Sequence, residues 1–241
     1  MQIIPIHINH EITSSDDISD IILKSNQIRN GDIIVIAQKI ISKQEGRIVE
    51  LSSVTSSLLS EGIGSQYHKD PKIIELILSE SKRIVRMSNG ILIVETNNGF
   101  ICANAGVDES NVKDGYVTLL PLNSDISAKI IRDNIMKQSN KNVAVIISDT
   151  FGRPFRMGQT NCAIGISGLN PILDYAGTLD SFGKVLRITA IAVADELSAA
   201  AELVMGKSLK CPVALIRDYS FKFENSSIEK LIRPECEDLF R

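Results

Sequence analysis

Residues 83–103 read RIVRMSNGILIVETNNGFICA, and their punctuation decides between two ways of building this chain. Three β-type runs, Arg83 to Met87, Ile91 to Glu95 and Phe100 to Ala103, are separated by Asn89-Gly90 and by Asn97-Asn98-Gly99. Asn and Gly tolerate the positive φ that tight hairpin turns require, so the pattern predicts an antiparallel meander and not strands joined by helical crossovers. Upstream, the apolar runs Ile3 to Ile8 and Ile33 to Ala37 predict buried strands. Between them lies a helix for which Ser14, Ser15, Asp16 and Asp17 offer capping oxygens, giving β-α-β order. Strands and helices mix without strict alternation. The expected class is α+β, with mixed and largely antiparallel sheets, over one doubly wound sheet.

Three further helices are expected. HKDPKIIELILSES, beginning at His68, carries Ile73, Ile74, Ile77 and Leu78 at helical spacing, with Asp70 as cap and Pro71 in the first turn. From Ser124 an amphipathic helix places Ile126, Ile130, Ile131 and Ile135 on one side. RITAIAVADELSAAAELVMG, beginning at Arg187, is apolar nearly all round and is closed by Gly206 as C-cap, which predicts a central buried helix. The Ser-rich patch from Leu51 to Ser65 is expected to be a mobile surface connection.

With 241 residues, 44% of them hydrophobic, the chain is long and apolar enough for one domain, or two subdomains, around a real core. A formal net charge of -3 excludes broad nucleic-acid binding, which needs a basic surface. Met1 to His10 lacks the features of a signal peptide, and no apolar run approaches the roughly 18 residues of a membrane span, so a cytoplasmic protein without a membrane partner is expected. Cys102, Cys162, Cys211 and Cys236 form no CxxC pair, and His7, His10 and His68 form no HxxxH spacing. Reduced, buried thiols are therefore expected, and no zinc site. GISG at Gly165 to Gly168 departs from a serine-hydrolase elbow.

Chemistry concentrates in VAVIISDTFGRP, beginning at Val143. A buried strand that ends in Asp149 and Thr150 is costly to desolvate unless something pairs with them. Mg²⁺ or Mn²⁺ is one such partner, because hard cations select oxygen ligands; capping of the following turn by Asp149 is the other account. In ANAGVDESN small residues permit close backbone approach, and Asp108 and Asn111 follow at once. In AQKIISKQEGR, Lys39, Lys43 and Arg47 recur every four residues, as a solvated cationic face or, with Ser42 and Gly46, as a phosphate-contacting loop; it is not a Walker A sequence. Arg153 and Arg156 bracket Pro154 and suit phosphate or carboxylate oxygens. Lys207, in MGKSLK, adds a further cation.

Taken together, GDIIVIAQKIISKQEGRIVEL, HKDPKIIELILSES, ICANAGVDESN, ISDTFGRPFRMGQTNCAIGISGLNPILDYAG and ADELSAAAELVMGKSLKCPVALIRD closely resemble the coenzyme F-420:L-glutamate ligase family, in family order and over nearly the whole chain, from Ile3 to Arg217. The resemblance implies an enzyme that joins L-glutamate to the tail of a deazaflavin coenzyme F-420 precursor. It implies GTP as co-substrate, a pair of Mg²⁺ or Mn²⁺ ions and a monovalent cation, K⁺. It matches Asp108, Asp149 and Thr150 to divalent-metal positions, and Ser42, Lys43, Arg47 and Asn111 to GTP contacts. Met205, Gly206, Lys207 and Ser208 resemble a further nucleotide-binding stretch. A last family segment falls on Asn9, His10, Glu11 and Ile12, where this chain departs from a Gly-Leu-Pro-like turn. The resemblance also implies an intertwined homodimer of two α/β-type subdomains, with residues 1–241 as a standalone ligase domain. A metal-dependent phosphohydrolase using Asp149, and a nucleotide-binding regulator without catalysis, are the rival readings of the same residues.

Overall fold

The computed structural model describes residues 1–25 and 27–239. In chain order the first half comprises β1 (Gln2–Ile6), α1 (Ile18–Lys24), β2 (Ile33–Ala37), α2 (Gln38–Gln44), β3 (Ile48–Glu50), α3 (Leu58–Tyr67), α4 (Pro71–Ser79), β4 (Ser81–Ser88), β5 (Ile91–Thr96), β6 (Ile101–Ala103) and β7 (Tyr116–Thr118). The second half comprises α5 (Ser124–Ser139), β8 (Ala144–Arg153), β9 (Arg156–Ser167), β10 (Leu173–Asp174), β11 (Ala190–Ile191), α6 (Val193–Met205) and β12 (Val213–Arg217). The α+β class is borne out, with sheets that are mostly antiparallel.

The main sheet has the order β1-β12-β2-β8-β9. β2 and β8 are its one parallel pair, and the other neighbours run antiparallel. The opening β-α-β order is therefore split: β12, from the far end of the chain, inserts between β1 and β2. Ile33 to Ile36, Val145 to Ile147 and Val213 to Ile216 are fully buried, as continuous apolar runs should be in strands covered on both faces. Helix α5 lies against β8 and β9, and α6 against β9, β12 and β1. β9 is an edge strand, and two aspartates cover it. The Asp125 carboxylate accepts from Ile166 N–H at 2.7 Å and that of Asp195 from Ala163 N–H at 2.8 Å, which removes donors that another strand could pair with.

The meander is present as β4-β5-β6, antiparallel throughout. It packs with α3 and α4 around a smaller second core of Ile63, Ile74, Ile77, Leu92, Val94 and Ala105. Asp70 caps α4 and Pro71 opens it, as the sequence predicts. The Leu51 to Ser65 patch is not a mobile connection. Most of it is α3, because Ser57 caps the helix through Ser60 N–H and Ile63 is buried in the second core. Both the hydroxyl and the N–H of Ser57 are in turn held by Glu75.

Two helices differ from their expected faces. In α5, Ala128, Ile131 and Ile135 are buried, whereas Ile126 and Ile130 lie exposed, since the core contacts only one stripe of the helix. The buried C-terminal helix begins at Val193, not Arg187, because Ala190–Ile191 pairs with Leu173–Asp174; its Leu203 faces outward. Gly206 does close it, with φ +57. All four cysteines are unbridged; Cys102 and Cys211 are buried as expected, but Cys162 is only half-buried and Cys236 is exposed, because it lies in the surface segment after the last strand.

Candidate functional site

The site forms where the parallel pair runs out. β2 and β8 stay in register from Ile33↔Ala144 to Ala37↔Ser148; β2 then turns directly into α2, while β8 continues alone beside β9. Asp149 and Thr150 are the first residues past that divergence. Crevices outside the carboxyl ends of parallel strands are where open sheets leave room for ligands. β8 does not end at Thr150, as its polar residues suggest, but runs to Arg153 because β9 pairs with it on the other side. Phe151 is held by an edge-on contact with Phe100, ring centroids 6.3 Å apart, which ties the meander to this strand.

Asp108 reaches the same place from the second core. The chain reverses after β6 through Asn104, Ala105 and Gly106, all at positive φ. A Cβ at Gly106 would sit 2.6 Å from the Leu120 side chain, so only glycine fits this close approach. The Asp108 main chain then pairs with Thr118, which fixes its direction.

These elements enclose one cleft of about 1310 Å³. It gathers residues 9–12, Lys43, Asp108, Asn111, Asp149, Thr150 and residues 205–208, drawn from segments far apart in the chain. Four residues singled out from the sequence lie outside its lining. Ser42 is fully buried behind the cleft, where its hydroxyl accepts from the Gln38 amide at 2.6 Å. Arg47 is turned toward Glu80, 2.7 Å away, and the Leu120 carbonyl. Arg153 and Arg156 sit at the β8–β9 turn, where Arg153 donates to the Met157 carbonyl.

The cationic face of α2 is not solvated. The Lys43 side chain is only 9% exposed, with its ammonium 3.1 Å from Glu11 and 2.7 Å from the Asn111 carbonyl. Lys39 donates to Asp108 at 2.6 Å and to Ser110. Burial pushes the Asp108 carboxyl up, but Lys39 and the Ser110 N–H outweigh it and hold the group below its usual range. Asp149 is the opposite case. Burial pushes its carboxyl up to about 6 and the nearby Asp108 adds to the rise, while the Thr150 main chain, Lys39 and Lys207 offset only part. Burial, reinforced by Asp149, also lifts the Cys102 thiol to about 12, and burial lifts Cys162 to about 11, so neither is a ready thiolate.

The residues fit a hard divalent cation. Asp149 is a half-buried carboxylate with too little countercharge, and beside it the Ser148 hydroxyl is buried without a hydrogen-bond partner among the described residues. Among the described residues no three His, Cys, Asp or Glu side chains converge as a closed cage. Two carboxylates and a hydroxyl instead suit Mg²⁺ or Mn²⁺, which take few protein ligands and fill the shell with phosphate oxygens and water. Lys39 occupies one Asp108 oxygen, so a cation there would compete with its ammonium.

Sequence reasoning missed Gln159, Asn161 and Glu202, which also line the cleft. The signal available was polar residues at alternate positions of β9, opposite the β8 residues that carry chemistry: Thr150 pairs with Asn161 and Gly152 with Gln159. A hydroxyl relay joins the two strands. Lys207 donates to Thr150 Oγ1 at 2.5 Å, and Thr150 donates to Asn161 Oδ1 at 2.7 Å.

Comparison with known proteins identifies the family. The chain is 43% identical over 238 residues to the coenzyme F420:L-glutamate ligase of Methanothermobacter thermautotrophicus, covering 95% of this chain and 94% of the relative. It is 45% identical over 215 residues to the ligase of that name from Methanocaldococcus jannaschii, covering 89% and 86%. It is 37% identical to that of Methanopyrus kandleri, covering 100% and 98%. The family model described as F420-0:Gamma-glutamyl ligase matches residues 7–218, and the chain belongs to that family.

Proposed function

We propose that this chain is a GTP-dependent ligase that adds L-glutamate to the deazaflavin coenzyme F420 precursor through an acyl phosphate. The observation that carries the proposal is the meeting of Asp108 with Asp149 and Thr150 in a cleft ringed by Lys39, Lys43, Lys113, Lys207 and Lys210. A hydrolase or a regulator would not by itself explain the identity to ligases along nearly the whole chain.

In the first step a carboxylate oxygen of the precursor attacks the γ-phosphorus of GTP, the β–γ bridging bond breaks, and GDP leaves. In the second the glutamate nitrogen attacks the acyl carbon, the carbon–oxygen bond to phosphate breaks, and inorganic phosphate and a proton are released. Mg²⁺ or Mn²⁺ held by Asp108, Asp149 and Thr150 would neutralise phosphate charge, with K⁺ as a monovalent partner to which no residue is assigned. The chain's own contribution is positional and electrostatic. Lys43 clamps the Asn111 loop to the segment at Glu11, fixing the cleft wall. Lys39 and Lys207 bring positive charge beside Asp108 and Thr150. Ser42 and Arg47 brace that wall from behind through Gln38 and the Leu120 carbonyl.

Self-association as a homodimer accompanies this reading. Met157, Phe182 and Ile188 are each about nine-tenths exposed on the two hairpins β8–β9 and β10–β11, apolar surface that a partner subunit would cover. Incubation of the purified protein with GTP, Mn²⁺, L-glutamate and precursor, followed by mass spectrometry, tests the function. A glutamyl mass increment with release of GDP supports it. GTP loss without the increment points to a hydrolase, and no turnover to a binder.

A further inference from the structure

A second cavity opens off the cleft. Its volume is about 590 Å³, and it is shared with the cleft at Thr150, Gln159, Asn161, Glu202 and Lys207 before extending over Ala199 and Ala200 of α6. That volume falls within the range of small-ligand sites. We propose that this side chamber is the subsite for the free L-glutamate. The proposal rests on the ligase function above and names where its amino-acid substrate binds.

The lining matches a small zwitterion bearing a second carboxylate. Asn161 is 5% exposed, and the relay described above fixes its orientation. An ammonium can only donate, so Thr150 Oγ1 accepts from Lys207 and spends its single hydrogen on Asn161 Oδ1. The amide nitrogen is left as a donor without an acceptor among the described residues, on a side chain that lines both cavities. The Gln159 amide, exposed on the same face of β9, is a second neutral donor for carboxylate oxygens. Across from them Glu202 stands 3.7 Å from Lys207, beyond hydrogen-bond reach, so each keeps capacity for an incoming group. Glu202 suits the substrate ammonium and Lys207 a carboxylate.

Position supports the same occupant. The chamber meets the cleft at Thr150, so an amine seated against Glu202 lies beside the place where the acyl phosphate is formed. The small side chains of Ala199 and Ala200 make the floor, and a larger residue there would fill the space without touching the aspartates.

Steady-state kinetics with GTP, Mn²⁺ and precursor test this on Gln159→Ala, Glu202→Gln and Ala200→Leu. Each variant should raise KM for L-glutamate at least tenfold, with KM for GTP and precursor within twofold of wild type. Glu202→Asp should restore part of the loss that Glu202→Gln causes. An unchanged glutamate KM in all three variants, with circular dichroism showing native folds, overturns the assignment. So does a rise confined to the precursor KM, which would place the precursor's tail in the chamber instead. Turnover by the wild-type protein separates the two levels: if it makes no glutamylated product, the ligase reading fails and the subsite with it, whereas turnover with insensitive variants removes the subsite alone.

Discussion

Replacing Asp149 with Asn should make the metal-free protein more stable while abolishing its activity. Burial moves this carboxyl from 3.8 to about 6, and at about 1.4 kcal/mol for each tenfold change in acidity, holding it ionised opposes folding by ~3 kcal/mol. The folded-state value lies above the unfolded one, so the native chain holds the proton more tightly. Its favourable contribution is fully present below pH 3.8, falls as pH rises, and is gone above about pH 6. The Asn amide must find acceptors in the same space, which leaves a net gain of ~1.5–3 kcal/mol. For a chain of this size, at about 2–4 °C per kcal/mol, that is a Tm increase of roughly 3–12 °C. Thermal denaturation in EDTA, followed by circular dichroism from pH 4 to pH 8, reads it directly. The difference in Tm between variant and wild type should grow between pH 4 and 6 and stay level above. Saturating Mn²⁺ should close the gap, because it binds only the folded wild type with appreciable affinity; at a hundred times Kd the stabilisation is ~2.7 kcal/mol. A variant no more stable than wild type at pH 8, or a gap of equal size at pH 4 and pH 8, would refute the account of Asp149 as an under-compensated, partly desolvated charge.

Other parts of the structure carry their own expectations. Gly165→Ala puts a Cβ 2.4 Å from the Ser124 backbone, where no flexible side chain can yield, and should cost at least ~2 kcal/mol in urea denaturation. Asp32, just before β2, is 1% exposed and accepts two bonds, at 2.9 and 2.7 Å, from Arg217 at the end of the neighbouring strand β12. Asp32→Ala strands that guanidinium and should destabilise the protein by ~3–5 kcal/mol by the same measurement. Phe182→Ser together with Ile188→Ser should shift the protein to monomer in sedimentation velocity; an unchanged mass removes that hairpin from the proposed dimer contact.

What local chemistry decides was already legible along the chain. The Asn-Gly turns place the meander, Asp17 and Asp70 cap the helices where capping oxygens were expected, and Gly206 ends α6. These depend on a few adjacent residues, through φ preference and hydrogen bonds spanning two or three positions. Asp108, Asp149 and Thr150 were identifiable as candidate oxygen ligands by residue type, and their resemblance to a ligase family by order. Three matters depended on contacts between distant segments. Lys39, Lys43 and Arg47 could be read as a water-facing stripe or as a phosphate-contacting loop, and only the packing of α2 and the turn after it against the Asp108 loop and Glu80 made them partly or fully buried partners of other groups. The strand bearing Asp149 looked finished at Thr150, but β9 continues the pairing to Arg153. The chamber at Asn161 exists because β9 and α6, separated by the β10–β11 hairpin, face each other across Thr150. Periodicity records which side of an element is apolar; which charged groups end up opposite one another is set by the packing of whole elements, and tertiary structure alone determines that.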